Sequence, residues 1–345
     1  MSVLLTGATG FVGMEVLARL LERGDDVVVL VRGDPEHRAQ EVLRTLGVAA
    51  PLRAIAGDLS EPGLSIPGDV TEIVHCAASI SFSLPLDEAR AINVEGTRRV
   101  LAAARRLPRL RRLVHVSTAY VAGRHRGRFA AHDLDVGQDF RNSYERTKHE
   151  AELVLAREAD GLPLVVARPS IVVGESDTGW TPAFNVLYWP LRAFERGLLD
   201  RVPAARDGRV DVVPVDYVAD ALVTLLDGDD TGSVHLVAGD DAPTNAELVG
   251  LACRALDRPP PILDTATALD LDEAHVYAPY FDVETVFEPG PFAPPPLEGY
   301  FDRIVDYARR ARWGKRGLSR SEARHPPVGG SAAVRAGAPA FGTTG

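Results

Sequence analysis

The chain has 345 residues, 46% hydrophobic and 25% charged, which is typical of an ordinary globular protein with one large or two small domains. Its net charge of −10 at pH 7 repels nucleic acid and anionic membranes, so we expect no nucleic-acid partner. The two cysteines, Cys76 and Cys253, lie far apart in apolar contexts and predict neither a disulfide framework nor a metal site.

Apolar runs alternate with helical patterns through the first half of the chain. The predicted strands are residues 2–7, 26–32, 52–58, 72–78, 113–118 and 162–170. The predicted helices between them are residues 11–23, 36–46, 87–106 and 141–160. This alternation predicts the α/β class, with a Rossmann-type, doubly wound parallel sheet covered by helices on both faces.

The second half of the chain is less regular and predicts a smaller C-terminal α/β substrate-binding region. The predicted elements are a helix at 182–197, a short strand running into a helix at 209–226, a strand at 233–239, and helices at 244–257 and 297–312. The domains predicted are a Rossmann domain over 1–175, a substrate-binding region over 176–313 whose part at about 209–240 returns to the Rossmann core, and a tail over 314–345. The tail lacks periodicity and is predicted to be disordered.

A glycine-rich turn follows the first predicted strand and opens the first helix. In TGATGFVG the glycines have the spacing G-x-x-G-x-x-G, which allows a tight turn and a close approach of the backbone to a pyrophosphate at the helix N-terminus. In this strand–turn–helix context the pattern predicts a dinucleotide site, the alternative being a glycine-rich turn without a ligand. The predicted contacts on this loop are Gly7, Thr9, Gly10, Phe11, Val12 and Gly13.

Two charged residues follow the second and third predicted strands. Arg32 ends the second strand, where an acidic residue would take a ribose 2′-OH and an arginine suits a 2′-phosphate. We therefore predict NADPH (NADP+) over NADH, the alternative being a surface arginine with no specific role. Asp58, in GDLS after the third strand, is predicted with Leu59 to contact the adenine, and the alternative is a turn cap.

A tyrosine and a lysine are spaced four residues apart on the predicted helix 141–160. Tyr144 and Lys148 therefore share one helix face, although so short a pattern also arises by chance. Tyrosine is a poor acid near neutrality, since its ordinary pKa is about 10, and a nearby ammonium lowers that pKa. Only Lys148 and Lys315 are lysines in a chain whose other basic residues are arginines.

Several segments, taken in order, resemble an extended short-chain dehydrogenase/reductase over roughly residues 1–312. They are the glycine loop, Asp58, HCAAS (75–79), NVEGT (93–97), HVSTAYVAG (115–123), Tyr144-x-x-x-Lys148 and ARPSIVVG (167–174). HCAASISF, HVSTAYVAG, RPSIVVGESDTG and VPVDYVADAL are most similar to the branch that reduces acyl thioesters. That branch includes the fatty acyl-CoA reductases and the thioester reductase domains of carboxylic acid reductases and peptide synthetases.

The resemblance implies a catalytic set of Thr118, Tyr144 and Lys148 acting with NADPH. Tyr144 would donate the proton, Lys148 would tune its pKa and hold the nicotinamide ribose, and Thr118 would polarise the carbonyl, with Ser117 as the neighbouring candidate. No metal-ligand spacing is seen, and no metal is expected. The further cofactor contacts implied are Ala77, Ala78, Pro169, Ser170 and Ile171.

The expected function is NADPH-dependent reduction of an acyl thioester to an aldehyde or alcohol. The alternatives are a carbonyl reductase or hydroxy dehydrogenase, a nucleotide-sugar epimerase or dehydratase, and a non-catalytic NADPH sensor. The acyl group would be presented by coenzyme A or by an acyl- or peptidyl-carrier protein. Arg124, Arg126 and Arg128 could bind a phosphate of that carrier, the alternative being a solvated loop without this role. A cytoplasmic location is expected, because neither a signal peptide nor an apolar run of about 18–20 residues is seen. The protein is expected to be a monomer or a homodimer.

Overall fold

A seven-stranded parallel sheet forms the centre of the protein in a computed structural model. The structure describes residues 2–184, 186–265, 280 and 283–325. The strands are β1 (Ser2–Thr6), β2 (Asp26–Val31), β3 (Arg53–Ala56), β4 (Glu72–His75), β5 (Arg112–Val116), β6 (Gly127–Phe129), β7 (Leu164–Pro169), β8 (Ile171–Val173), β9 (Arg201–Val202), β10 (Val212–Pro214), β11 (Gly232–Leu236), β12 (Ile262–Leu263) and β13 (Thr285–Phe287). The helices are α1 (Phe11–Arg23), α2 (Pro35–Leu46), α3 (Leu86–Ala104), α4 (Ser143–Glu158), α5 (Tyr188–Glu195), α6 (Val215–Asp227), α7 (Asn245–Leu256), α8 (Phe301–Arg310) and α9 (Arg320–Arg324).

The order of strands in the central sheet is β11-β7-β5-β4-β1-β2-β3, and all neighbouring pairs are parallel. The chain reverses its direction of winding between β1 and β4. In open sheets of this kind, ligands bind in the crevice outside the carboxyl ends of the strands at that point. The predicted Rossmann-type parallel sheet is therefore confirmed, and its topology places a binding crevice beside the glycine loop.

Helices cover both faces of this sheet. On one face, Leu17 of α1 and Leu222 of α6 pack with Leu5 of β1 in one apolar cluster. On the other face, helices α3 and α4 pack against Leu4 and Val28 in a second cluster. Because both faces are buried, the strands consist of nearly continuous runs of valine, isoleucine and leucine.

The remaining elements form a smaller region beside the carboxyl edge of the sheet. Short parallel pairs join β8 to β10, β9 to β12 and β6 to β13. Helices α5, α7 and α8 surround a third apolar cluster that includes Phe129, Tyr188, Phe287 and Phe301. Strand β11 and helix α6 return to the central sheet, where β11 pairs with β7 and α6 packs on α1.

The helix predicted at 182–197 is shorter in the structure, where α5 covers only Tyr188–Glu195. Pro190 lies in the first turn of this helix. Proline lacks a backbone N–H and is tolerated in the first turn, where that group would have no intrahelical partner. The proline therefore fixes the start of the helix near residue 188, which the apolar pattern alone did not show.

The C-terminal segment also differs from the prediction of disorder from residue 314. Residues 314–325 are described, and Arg320–Arg324 form α9, which begins with a capping box between Ser319 and Glu322. The Arg320 side chain is buried among carboxylates. So short a helix has no readable apolar period and depends on tertiary contacts, so the sequence pattern missed it. The rest of the predicted tail, residues 326–345, lies outside the described residues.

Within the described parts of the chain, no helix has both the length and the apolar character required to cross a lipid bilayer. The same residues contain no group of three or more histidine, cysteine, aspartate or glutamate side chains suited to hold a metal ion.

Candidate active site

A cavity of about 850 Å³ opens at the carboxyl edge of the central sheet. The loops after β1, β4 and β5, the start of α4 and the β7–β8 connection all reach it, because parallel strands end at the same edge. Its lining residues are Gly7, Gly10, Phe11, Val12, Gly13, Cys76, Ala78, Ile80, Ser81, Phe82, Ser83, Val116, Ser117, Thr118, Tyr120, Tyr144, Lys148, Pro169, Ser170, Ile171, Val172, Val186, Trp189 and Tyr280. The cavity thus brings together the glycine loop and all three residues of the predicted catalytic set.

The glycine loop is shaped for a close backbone approach. Gly7 has φ +78°, and a Cβ there would lie 2.7 Å from the backbone nitrogen of Ala77. A Cβ on Gly13 would lie 2.1 Å from the carbonyl oxygen of Gly7. Helix α1 starts after Gly10 without a side-chain cap and without an acidic residue in its first turn. Its free N–H groups therefore fit the pyrophosphate of a dinucleotide.

The residues predicted for the adenosine end lie next to this loop, at the ends of β2 and β3. Asp58 accepts hydrogen bonds from the backbone nitrogen of Ser60 (2.8 Å) and from its hydroxyl (2.7 Å). These bonds, with smaller contributions from the charges of Arg32 and Arg99, lower the pKa of Asp58. Asp58 therefore caps this turn, and its contact with the adenine stays a prediction; Arg32 is exposed, and its charge acts on Asp58. The predicted contacts outside the lining of the cavity are Thr9, Arg32, Asp58, Leu59 and Ala77.

Helix α4 presents Tyr144 to the cavity. The helix begins at Asn142, whose side-chain oxygen accepts a 2.9 Å hydrogen bond from the backbone nitrogen of Glu145. Burial raises the pKa of Tyr144 to about 12, while the nearby hydroxyl of Thr118 opposes this rise. The phenol is therefore protonated at neutral pH and can donate a proton.

Lys148 lies one helical turn further along the same face and is only 2% exposed. Its Nζ donates a 2.8 Å hydrogen bond to the carbonyl oxygen of Val116 and lies 3.5 Å from Nε2 of His115. Burial lowers the pKa of Lys148 to about 8, although the charge of Glu152 opposes this shift. The pKa of Tyr144 is thus raised and not lowered. Lys148, predicted to tune it, is not among the groups that shift this pKa and bonds to the end of β5.

Thr118, just after β5, completes the group. Its hydroxyl donates a 3.3 Å hydrogen bond to the carbonyl oxygen of Pro169 and accepts one of 3.2 Å from the backbone nitrogen of Tyr120. Ser117 also lines the cavity, but among the described residues its hydroxyl makes no hydrogen bond. The threonine therefore has the position beside Tyr144 that the resemblance assigned to it.

Asn93 of α3 ties the loop after β4 to the helix that carries Tyr144. Its side chain accepts a 2.8 Å hydrogen bond from the backbone nitrogen of Ser79 and donates to the hydroxyl of Thr147 at 2.9 Å. The loop after β4 and α4 therefore keep a fixed spacing across the mouth of the cavity.

The end of the cavity away from the glycine loop has an aromatic wall, made of Phe82, Tyr120 and Tyr280, that the sequence analysis did not identify. Phe82 and Tyr280 stack with ring centroids 5.2 Å apart, and Phe82 lies 5.9 Å from the ring of Tyr144. The hydroxyl of Tyr280 accepts a 2.8 Å hydrogen bond from Nδ2 of Asn142, at the start of α4. Phe82 could have been suspected from the strand end that precedes it, but Tyr280 comes from a distant segment that has no motif.

Two comparisons with relatives bear on this geometry. A family model described as male sterility protein, an NAD-binding family, matches residues 5–222. Fatty acyl-CoA reductase 1 of Homo sapiens is 30% identical to the chain over 63% of the chain and 52% of the relative. The fatty acyl-CoA reductase wat of Drosophila melanogaster is 31% identical over 64% of the chain and 53% of the relative. The chain thus spans about half the length of these curated relatives.

Solved structures share the fold. The terminal R domain from the myxalamid PKS-NRPS biosynthetic pathway has a TM-score of 0.75 at 22% identity and covers 92% of each chain. MoeE5, solved with UDP-glucose and NAD, has a TM-score of 0.67 at 24% identity over 90% of this chain and 100% of that one.

The fold, the uncapped glycine loop and the family match confirm the predicted superfamily of NAD(P)-dependent oxidoreductases and a nicotinamide dinucleotide as the cofactor. The chain belongs to the male sterility protein family, whose model matches residues 5–222, and it is similar to fatty acyl-CoA reductases over about half of their length.

Proposed function

We propose that the protein uses NADPH to reduce an acyl thioester to an aldehyde or alcohol. The observation that carries the proposal is a buried, protonated phenol, Tyr144, that lies with the hydroxyl of Thr118 in a cavity with two different ends. One end fits a dinucleotide, and the other is lined by Ile80, Phe82 and Trp189, which suit an acyl chain. The relatives named as fatty acyl-CoA reductases favour a thioester over a free ketone.

The chemistry follows from the two hydroxyls. When bound, NADPH supplies the hydride. The hydroxyls of Thr118 and Tyr144 hold the carbonyl oxygen, and Tyr144 gives its proton to the oxyanion that develops there. The 3.3 Å bond of Thr118 to Pro169 is long, so the threonine hydroxyl can turn toward a substrate oxygen. The hemithioacetal formed then loses its thiol to give the aldehyde.

Lys148 contributes as a buried cation next to the reacting groups. One of its three protons is used in the bond to Val116, so it has donors left for the hydroxyls of the nicotinamide ribose. The ammonium also favours the phenolate that Tyr144 becomes after it has given up its proton. In this way the lysine serves cofactor binding and proton transfer together.

NADPH is proposed over NADH because of Arg32. Its side chain is exposed after β2, and its charge acts on Asp58 at the end of the neighbouring strand. A guanidinium at that edge can form charge-assisted hydrogen bonds with a 2′-phosphate. Arg99, whose charge also acts on Asp58, adds to the positive potential there.

The acyl group is proposed to arrive on coenzyme A or on a carrier protein, near Arg124 and Arg126 of the loop before β6 and Arg128 of β6. Arg126 lies 3.3 Å from Glu284, and Arg128 lies 3.0 Å from Asp240. Both pairs are exposed and therefore weak, so a phosphate group can compete for these arginines.

The function is tested by following NADPH oxidation with three substrate sets that share the same acyl groups. These are acyl-CoA thioesters, acyl thioesters on a carrier protein, and free ketones, with the products identified by mass spectrometry. The proposal expects release of free thiol and an aldehyde or alcohol from at least one thioester set. Turnover of the ketones alone would assign the site to a carbonyl reductase instead.

A further inference from the structure

A single arginine from the C-terminal helix α9 joins three carboxylates. Nη2 of Arg320 lies 2.7 Å from Oε1 of Glu15, Nε lies 2.8 Å from Oε1 of Glu175, and Nη1 lies 2.9 Å from Oε1 of Glu22. The arginine is 3% exposed, Glu15 is 0% exposed and Glu175 is 1% exposed. This is a buried charge cluster, not a surface ion pair.

The two buried carboxylates lie on two different segments that lead away from the cavity lining. Glu15 lies on α1, two residues after Gly13, and the first turn of that helix lines the cavity. Glu175 lies two residues after β8, and Ile171 and Val172 of β8 also line the cavity. One guanidinium therefore connects the helix proposed to face the pyrophosphate with the segment that follows the predicted cofactor contact Ile171.

The cluster needs this cation. Burial and the negative charge of Glu175 raise the pKa of Glu15 to about 7, against the opposing charge of Arg320. Oε2 of Glu15 is buried and, among the described residues, has no hydrogen-bond partner. Arg19, 2.8 Å from Glu15, gives partial compensation from the same helix. Arg324, also on α9, lies 3.0 Å from Glu175 and compensates part of its charge. Arg320 contacts both buried carboxylates, so its loss would leave less positive charge between them, which is unfavourable in a buried site.

We propose that Arg320 is a positioning residue for the cofactor, which holds α1 and the segment 174–180 at the spacing that the dinucleotide requires. Helix α9 thus acts as a latch behind the cleft. The carboxylates that Arg320 contacts, Glu15, Glu22 and Glu175, do not line the cavity. The proposal rests on the dinucleotide part of the proposed function and is independent of the acyl substrate. A spacing fixed in advance lowers the cost of ordering the site when the cofactor binds.

The test compares Arg320→Met with Arg309→Met in the full-length chain. Arg309 joins α8 to α5 through a 2.7 Å contact with Glu195, and neither residue lines the cavity, so this more exposed pair is a control for the loss of an arginine that links two helices. NADPH affinity is measured by fluorescence titration, and thermal unfolding is measured in parallel. Arg320→Met is expected to raise the Kd for NADPH by about tenfold or more, whereas Arg309→Met leaves it unchanged.

Two further variants separate the latch from a general loss of stability. Arg320→Lys keeps the charge but lacks the planar fork that reaches both carboxylates, so it should fold and bind NADPH more weakly than the wild type. Adding Glu15→Gln to Arg320→Met removes the repulsion and should recover most of the lost affinity. A Kd that rises in Arg320→Met but is not recovered by Glu15→Gln would contradict the electrostatic latch.

Amide hydrogen exchange, measured without cofactor, tests independently whether Arg320 holds α1 and the segment 174–180 in place. Arg320→Met is expected to speed exchange in residues 11–15 and 174–180, and Arg309→Met is not. Unchanged exchange in both segments, or equal effects of the two variants, would overturn the proposal. A wild-type protein that does not bind NADPH would refute the proposed function, while the exchange result would still decide whether Arg320 holds the two segments.

Discussion

Lys148 and Val116 are joined by a 2.8 Å hydrogen bond from the lysine Nζ to the carbonyl oxygen at the end of β5. Strand β5, which leads to Thr118, therefore also fixes the side chain of Lys148. Helix α4 carries both Lys148 and Tyr144. Three groups from two elements share one edge of the sheet, which makes their relative positions a property of the fold.

The first prediction concerns pH. Because burial lowers the pKa of Lys148 to about 8, its ammonium is present below that pH and is lost as the pH rises through it. Tyr144, with a pKa of about 12, stays protonated throughout. The rate of reduction, measured as kcat/KM between about pH 6 and 10, is expected to fall above about pH 8. The Lys148→Arg variant keeps its charge at these pH values, so its residual activity should lack this fall. If kcat/KM of the variant still falls above about pH 8, the fall belongs to another group.

The second prediction concerns Thr118. Thr118→Val removes the hydroxyl that lies near Tyr144 and is proposed to polarise the carbonyl, so kcat is expected to fall by about 10²- to 10³-fold, as for the loss of one oxyanion donor. Thr118→Ser keeps the hydroxyl and is the control, with kcat expected to stay much closer to that of the wild type. NADPH affinity, measured by titration, should be similar in both variants. A near-wild-type kcat in Thr118→Val, with the loss of kcat found in Thr118→Ser instead, would show that the methyl group, and not the hydroxyl, matters.

The third prediction concerns cofactor preference. Arg32→Ala is expected to lower kcat/KM with NADPH by about 10- to 100-fold through loss of a charge-assisted contact, and to leave kcat/KM with NADH nearly unchanged. Arg38→Ala is the control, because Arg38 is also exposed but pairs with Glu41 on α2. If the ratio of the two catalytic efficiencies does not change in Arg32→Ala, the assignment of NADPH to this arginine is wrong.

The fourth prediction concerns the aromatic wall. Tyr280→Ala removes a ring that stacks on Phe82 at the apolar end of the cavity, and is expected to raise KM for the acyl substrate by about tenfold. Tyr280→Phe keeps the stacking and loses only the hydrogen bond from Asn142, so its KM should stay close to that of the wild type. A rise in the Kd for NADPH instead of KM would place the ring at the cofactor end.

The sheet and the core of the site could be predicted because their signals are local. The order of strands and helices forces the carboxyl ends of the strands to one edge, so the glycine loop, Thr118 and Tyr144 meet there once the fold is assigned. The i, i+4 spacing also placed Lys148 on the face of Tyr144, but it could not show that Val116 takes the lysine's hydrogen bond. That contact depends on how closely α4 packs on β5.

The parts that the sequence missed depend on contacts between distant segments. Tyr280 reaches the cavity from a segment without periodicity and is held there by Asn142, 138 positions away. Arg320 orders α9 through carboxylates much earlier in the chain, 305 positions away for Glu15 and 145 for Glu175. No local pattern in either segment distinguishes such a residue from a solvated one.

The central claim is that Tyr144 donates the proton in thioester reduction, and Tyr144→Phe tests it most directly. The measurement is a single-turnover reduction of an acyl-CoA thioester by bound NADPH, with the Kd for NADPH determined on the same protein. We predict a rate lower by about 10²- to 10⁴-fold, as expected for a lost general acid, with the Kd nearly unchanged. A Tyr144→Phe protein that reduces the thioester at close to the wild-type rate would contradict the account.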